Sequence, residues 1–282
     1  MGIAQKVKRL LTIVLLAAAS GILLVVFAIR AVENRLVCFP PRYPAGFPPA
    51  QSLDREVEEV WLQTRDGVKI NAFYRSNPAS RKVLLWFHGN AENIGYNLDQ
   101  QRELAATGVN ILAVDYRGYG KSEGTPDEAG VYRDADAAYD YLVEQRHFQP
   151  QDIILYGHSL GGAVAVNLAA RRPCGGLIVQ SSFTSAREMA ERMFAIPLIS
   201  YVVKSKFDSE DLIRTVHAPI LITHGTRDEI VPIKMGEQLF AAAPEPKHFY
   251  PVEGAGHNDV LAVGGGTYLA CLRSFIAESG RE

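Results

Sequence analysis

The most regular feature of the chain is a series of short apolar runs, each followed by a stretch of helical character. Lys82–Phe87 (K-V-L-L-W-F) is apolar at nearly every position, the pattern of a strand buried on both faces. Val109–Tyr116, Asp152–Tyr156, Leu177–Gln180 and Pro219–Thr223 repeat it, and His248–Val252 is strand-like. Between and after them, helices are predicted near 96–107, 130–147, 160–171, 233–242 and 267–279. Ahead of the series, Glu56–Gln63 and Val68–Tyr74 flank Asp66-Gly67, a hairpin signal. Strands alternating with helices predict an α/β fold over residues 53–282. Its central sheet should be mostly parallel, covered by helices on both faces and led by an antiparallel hairpin.

The N-terminus breaks this rhythm. Leu10 to Ile29 is an uncharged, proline-free run of 20 residues, which as a helix reaches about 30 Å, the thickness of a bilayer's hydrocarbon. Lys6, Lys8 and Arg9 precede it; Arg30 and Arg35 follow, offset in part by Glu33. The heavier positive flank is N-terminal. It predicts a single transmembrane helix over 10–29, with residues 1–9 in the cytoplasm and the body on the other side. The competing reading is a signal peptide cleaved at Ala17-Ala18-Ala19, which would leave the apolar Ile22 to Ile29 on the mature chain. Residues 30–52 carry Pro40, Pro41, Pro44, Pro48 and Pro49 and read as a stiff, extended connector.

Composition narrows the classes. With 48% hydrophobic and 21% charged residues the chain has material for a core and is not disordered. Its three cysteines, none in a C-x-x-C pair, make no disulfide framework. Of 29 basic residues four lie in residues 1–30, so 25 face 31 acids in the remainder, a net charge of −6. That balance argues against a nucleic-acid partner, which needs a basic face.

Candidate chemistry gathers where strands end. Gly157-His158-Ser159-Leu160-Gly161-Gly162 follows the strand Asp152–Tyr156 and opens a helix, giving G-x-S-x-G in the strand-to-helix context that makes the pattern meaningful. Such a turn lifts the Ser159 hydroxyl out of the sheet and points the Leu160 N–H at the place where negative charge would develop. A serine hydroxyl needs a base. His257 lies in the glycine-rich loop Glu253–Asp259, and Asp228 lies just past the strand Pro219–Thr223, with Glu229 its local rival as the acid. The loop after Lys82–Phe87, His88-Gly89-Asn90-Ala91, is placed to offer the Asn90 N–H as a second donor to an oxyanion, with His88 structural. Two motifs fall short. Gly118-Tyr119-Gly120-Lys121-Ser122 lacks the leading glycine of a phosphate loop, since position 115 is Asp115, and Gly118, Gly120 and Gly124 miss the G-x-G-x-x-G spacing. Asp115 to Gly124 therefore reads as a structural loop. No H-E-x-x-H, cysteine pair or carboxylate cluster indicates a metal, and no cofactor is expected.

Taken together, Gly157–Gly162, His224–Pro232, Gly254–Asp259, His88–Ala91 and Asp115–Gly124 resemble the α/β-hydrolase superfamily over nearly all of residues 36–282. The apolar N-terminus, the stretch Cys38-Phe39-Pro40-Pro41-Arg42-Tyr43-Pro44 and H-G-N-A resemble more narrowly its membrane-anchored branch, which includes bacterial proteins, depalmitoylases, lipid hydrolases and serine aminopeptidase-like hydrolases. The resemblance implies Ser159 as nucleophile, His257 as base, Asp228 as orienting acid, and backbone donors at Asn90 and Leu160. The chain lacks the N-terminal cysteine cluster by which eukaryotic depalmitoylases of this type hold the membrane.

Residues 183–211 interrupt the strand–helix alternation where this fold usually carries a lid. Met189, Met193, Phe194, Ile196, Leu198, Ile199, Tyr201 and Phe207, broken by Pro197, could line an acyl pocket or simply pack on the core. The expected activity is hydrolysis of an ester or thioester of a small or lipid-like acyl substrate. A peptidase using acidic side chains near the lid (Glu188, Glu191, Asp208, Glu210, Asp211) and a silent, membrane-tethered binding protein are the competing readings.

Overall fold

The computed structural model of the protein describes residues 2–194 and 204–280. Helix α1 (Ile3–Val37) runs beyond the predicted 10–29. The connector expected to be extended from residue 30 becomes so only after Val37. The residues 31–37 hold no proline, so nothing ends the helix until Pro40 restricts the residue before it. Further on, helix α2 (Ala50–Leu53) closes the connector. Within α1, Val7–Val25 has a mean hydropathy of 2.0, lies unburied and is long enough to cross a membrane.

Among the described residues the body is one eight-stranded sheet. Strands β1 (Val57–Gln63) and β2 (Lys69–Arg75) form the predicted hairpin; β3 (Val83–Phe87), β4 (Asn110–Val114), β5 (Ile153–His158), β6 (Gly176–Gln180), β7 (Ile220–Gly225) and β8 (Lys247–Val252) follow. Their order is β1-β2-β4-β3-β5-β6-β7-β8. The pairs β1–β2 and β2–β4 are antiparallel, and the rest are parallel. The period-2 pleat of the apolar runs explains the layers. Val83, Leu85 and Phe87 enter one core with α4 (Glu128–Glu144), α5 (Leu160–Ala169), α7 (Ser209–Ile213) and α8 (Ile233–Ala242). Leu84 and Trp86 enter the other with α3 (Leu98–Ala105) and α9 (Val260–Glu278). The last helix is two helical stretches joined across a kink at Gly265 (φ 50°, ψ −139°); the second starts just past the kink, close to the predicted 267, and the short first stretch from Val260 lies ahead of the predicted start.

The connector is strapped to the rim of the sheet. Cys38 is buried, Gly120 N–H donates to the Pro41 carbonyl (3.0 Å), Gly95 N–H donates to the Tyr43 hydroxyl (2.7 Å), and that hydroxyl donates to Asp115 Oδ2 (3.3 Å). The loop from Asp115 to Gly124 is structural, with Gly118, Gly120 and Gly124 all at positive φ. Its Arg117 is buried, bonding Asp134 of α4 through Nε and a terminal nitrogen (3.0 and 2.9 Å) and reaching Asp66 of the hairpin turn (2.8 Å). Asp134→Ala leaves that guanidinium with Asp66 as its remaining carboxylate in this network. The expected loss of stability is about 3 kcal/mol, read as a lowered thermal midpoint of the detergent-solubilised chain; an unchanged midpoint would contradict the role given to the pair.

Candidate active site

Ser159 stands between β5 and α5 at φ 54°, ψ −117°, a conformation that costs a side-chain-bearing residue about 1–3 kcal/mol. The surrounding backbone enforces it. A Cβ at Gly157 would lie 2.1 Å from the Gly161 carbonyl oxygen, and one at Gly161 would lie 2.1 Å from that of Phe87. Only bare glycines let α5 start so close to β3 and β5. Ser159 N–H then donates to the Gln180 carbonyl (2.9 Å), and the Ser182 hydroxyl donates to the Ser159 carbonyl (2.8 Å).

Asp228 follows β7 in a turn of its own making. Its Oδ1 accepts the N–H groups of Ile230 (3.0 Å) and Val231 (2.8 Å), while Glu229 points into solvent. His257 arrives on the loop after β8, which is tied to the Asp228 turn by Arg227 N–H to Ala255 O (2.8 Å) and Gly254 N–H to Thr226 Oγ1 (2.9 Å). The three predicted side chains thereby meet. His257 Nδ1 is 2.7 Å from Asp228 Oδ2, and its Nε2 is 3.0 Å from Ser159 Oγ. A carboxylate only accepts, so Nδ1 carries the proton and Nε2 presents a lone pair to the serine hydroxyl.

Electrostatics agree with that assignment. Burial pushes the Asp228 carboxyl up, but hydrogen bonds from His224 and His257, the charge that His257 can carry and the Val231 N–H together hold it well below the ordinary carboxylate range. His224 contributes as a buried neighbour: its Nε2 is 3.3 Å from Asp228 Oδ2 and 2.8 Å from the Val231 carbonyl. An ionised carboxylate fixes the imidazole and favours its protonated form once a proton arrives.

Leu160 is the first residue of α5, where helix N–H groups lack intrahelical partners. The His88–Ala91 loop leaves β3 beside the Ser159 turn, since Phe87 pairs with Gly157. Asn90 is held by its side chain: Oδ1 accepts Phe39 N–H (2.8 Å), the Tyr119 hydroxyl (2.9 Å) and Ala91 N–H (3.0 Å). His88 is buried, with Nδ1 2.7 Å from the Gly89 carbonyl and Nε2 3.4 Å from Asp115 Oδ1, a structural placement. In the lid region, helix α6 (Ala186–Phe194) packs Met189 on the core and leaves Met193 exposed, while Phe207 is buried edge-on against Tyr132. Met189 and Phe207 thus serve the core. Ile196, Pro197, Leu198, Ile199 and Tyr201 lie outside the described residues. Sequence reasoning missed Glu92 and His158, which sit against the site. The only local signal was a carboxylate two positions after Asn90 and a histidine beside the serine.

A family profile described as serine aminopeptidase, S33, matches residues 78–207. An uncharacterized protein of Mycobacterium tuberculosis is 34% identical over 96% of both chains. Alpha/beta hydrolase domain-containing protein 17B of Xenopus laevis is 37% identical over 80% of this chain and 78% of its own. Among solved structures, an esterase of Pyrococcus furiosus superposes with a TM-score of 0.71 at 20% identity, covering 86% of this chain and 99% of that one.

Gly161→Ala tests the steric basis of the turn. The new methyl must push α5 off the end of β3, and a displacement near 1 Å at Ser159 should slow its reaction with a fluorophosphonate about 100-fold. A wild-type labelling rate would show that the close approach does not set the serine's position.

Proposed function

The chain belongs to the α/β-hydrolase superfamily and is a hydrolase of that kind, and from this premise we propose that it is a membrane-anchored serine hydrolase of carboxylic esters or thioesters. The observation that carries the proposal is His257 within hydrogen-bond distance of Asp228 and Ser159 at once, at 2.7 and 3.0 Å. Ser159 Oγ attacks the acyl carbonyl carbon while His257 Nε2 takes the hydroxyl proton. The Asn90 and Leu160 amides receive the negative charge on the former carbonyl oxygen. Collapse of the tetrahedral intermediate expels the alcohol or thiol, to which His257 returns the proton, leaving Ser159 acylated. Water, deprotonated by the same histidine, attacks the acyl-enzyme and releases the acid.

The helix Val7–Val25 supports a single-pass anchor, and the charge flanks support a body on the non-cytoplasmic side. An anchored site meets substrates at the bilayer surface, which favours lipid-like acyl groups. The profile's aminopeptidase description supplies the second reading, cleavage of an aminoacyl amide.

A turnover panel of acyl esters, acyl thioesters and aminoacyl amides separates the two. Ester or thioester cleavage should dominate and fall at least about 1,000-fold in Ser159→Ala and in His257→Ala. Activity surviving either change would overturn the assignment, and preferential amide cleavage would favour the peptidase. The full chain should also stay with the membrane pellet through alkaline carbonate extraction; release into the supernatant would refute the anchor.

A further inference from the structure

His158 lies between two acceptors. Its Nε2 is 3.1 Å from the main-chain carbonyl of His257, and its Nδ1 is 3.2 Å from Glu92 Oε1, in ion-pair contact off the line of a straight hydrogen bond. A carbonyl oxygen accepts only, so Nε2 carries a proton. A carboxylate also accepts only, and a bare Nδ1 would set its lone pair against that oxygen. Protons on both ring nitrogens would suit both acceptors and make the side chain an imidazolium. It is 2% exposed, so water does not solvate the charge and Glu92 must balance it. Glu92 is itself fixed: Oε2 accepts Gly89 N–H (3.0 Å) and the Asn97 amide (2.8 Å).

We propose that half-buried Glu92 and buried His158 form an ion pair that positions His257, tying its loop to the loop that carries Asn90. The proposal rests on the reading of His257 as the base, and it makes both residues positioning residues that touch no reacting atom. Two loops and the serine turn, each from a different strand end, are clasped by one pair of charges. The pair also has a polarity. The rings of His158 and His257 are 5.1 Å apart, so the positive end faces the base. The other charges in play are Asp228, from the turn after β7, which bears on His158, and His88, at the end of β3, which bears on Glu92.

Titration tendencies accord with the geometry. Burial pushes the Glu92 carboxyl up, but the adjoining charge of His158, with that of His88 and the Gly89 N–H, brings it down to about 2. Burial pushes His158 down, and Glu92, followed by the His257 carbonyl, lifts it above the ordinary histidine value.

The test joins spectroscopy to kinetics on the full chain in detergent micelles. Nitrogen-15 histidine spectra at pH 8 should show one imidazole that still carries two protons, lost in His158→Gln and in Glu92→Gln. A singly protonated His158 in the wild type overturns the proposal, whether or not either variant folds. For hydrolysis of a p-nitrophenyl acyl ester, Glu92→Gln should lower kcat about 10- to 100-fold. It should also move the acid limb of the pH–rate profile upward, because without Glu92 the His158 proton, and with it the positive charge beside His257, is lost; Glu92→Asp should restore both. A lowered rate with an unmoved acid limb would mean that the pair only packs, and overturns the proposal. Hydrolysis surviving in Ser159→Ala would instead defeat the parent reading, while the spectra still decide the state of the pair.

Discussion

The site depends on one close approach, that of the first turn of α5 to the ends of β3 and β5. Backbone atoms fill the space where side chains at positions 157 and 161 would go. That contact forces Ser159 into a positive-φ turn and projects its hydroxyl from the sheet. If α5 moved outward, the Ser159 hydroxyl would leave hydrogen-bond distance of His257 Nε2. The strain is local and is offset by packing: nearly the whole of α5 is buried, and its apolar residues enter the same core as Leu85 and Phe87.

The remaining parts are brought to that point by parallel strands ending on one edge. In such a sheet successive strands deliver their C-terminal loops to a common rim, and here β3, β5, β7 and β8 deliver Asn90, Ser159, Asp228 and His257. Each loop is then fixed by its own bonds. The Asp228 carboxylate captures two backbone N–H groups of its turn, and the His257 loop bonds back to that turn. Because the folded carboxyl sits below its ordinary value, ionised Asp228 favours the folded state at neutral pH, and that contribution is lost progressively as the pH falls from the ordinary carboxylate range through the lowered value. The connector adds a constraint from outside the sheet, since Phe39, one residue past the buried Cys38, bonds the side chain of Asn90.

The strands were legible because a doubly covered sheet needs apolar residues on both faces, and few other structures demand that of runs as short as Val83–Phe87. The Ser159 turn was legible because its steric demand writes glycines at fixed offsets. Asp228 is preferred to Glu229 in the sequence only by its place after β7; in the structure Asp228 meets His257 and captures the Ile230 and Val231 amides, while Glu229 is exposed. The last helix was legible because it resumes just past the kink at Gly265; the short stretch ahead of it, where Val260 and Leu261 are buried, was not. Proline content misled at residues 30–37, where the prolines lie downstream and α1 continues. Glu92 and His158 left almost no trace, because their relation is made by two loops that are far apart in sequence.

The claim on which the account stands is that Ser159 is the residue that becomes acylated. Peptide mass spectrometry of the protein after reaction with a fluorophosphonate locates the adduct directly. The account predicts a single modified peptide spanning Gly157 to Gly162 with the added mass on Ser159, and no adduct in the Ser159→Ala variant. An adduct on another residue, or none on a folded wild-type chain, would contradict it.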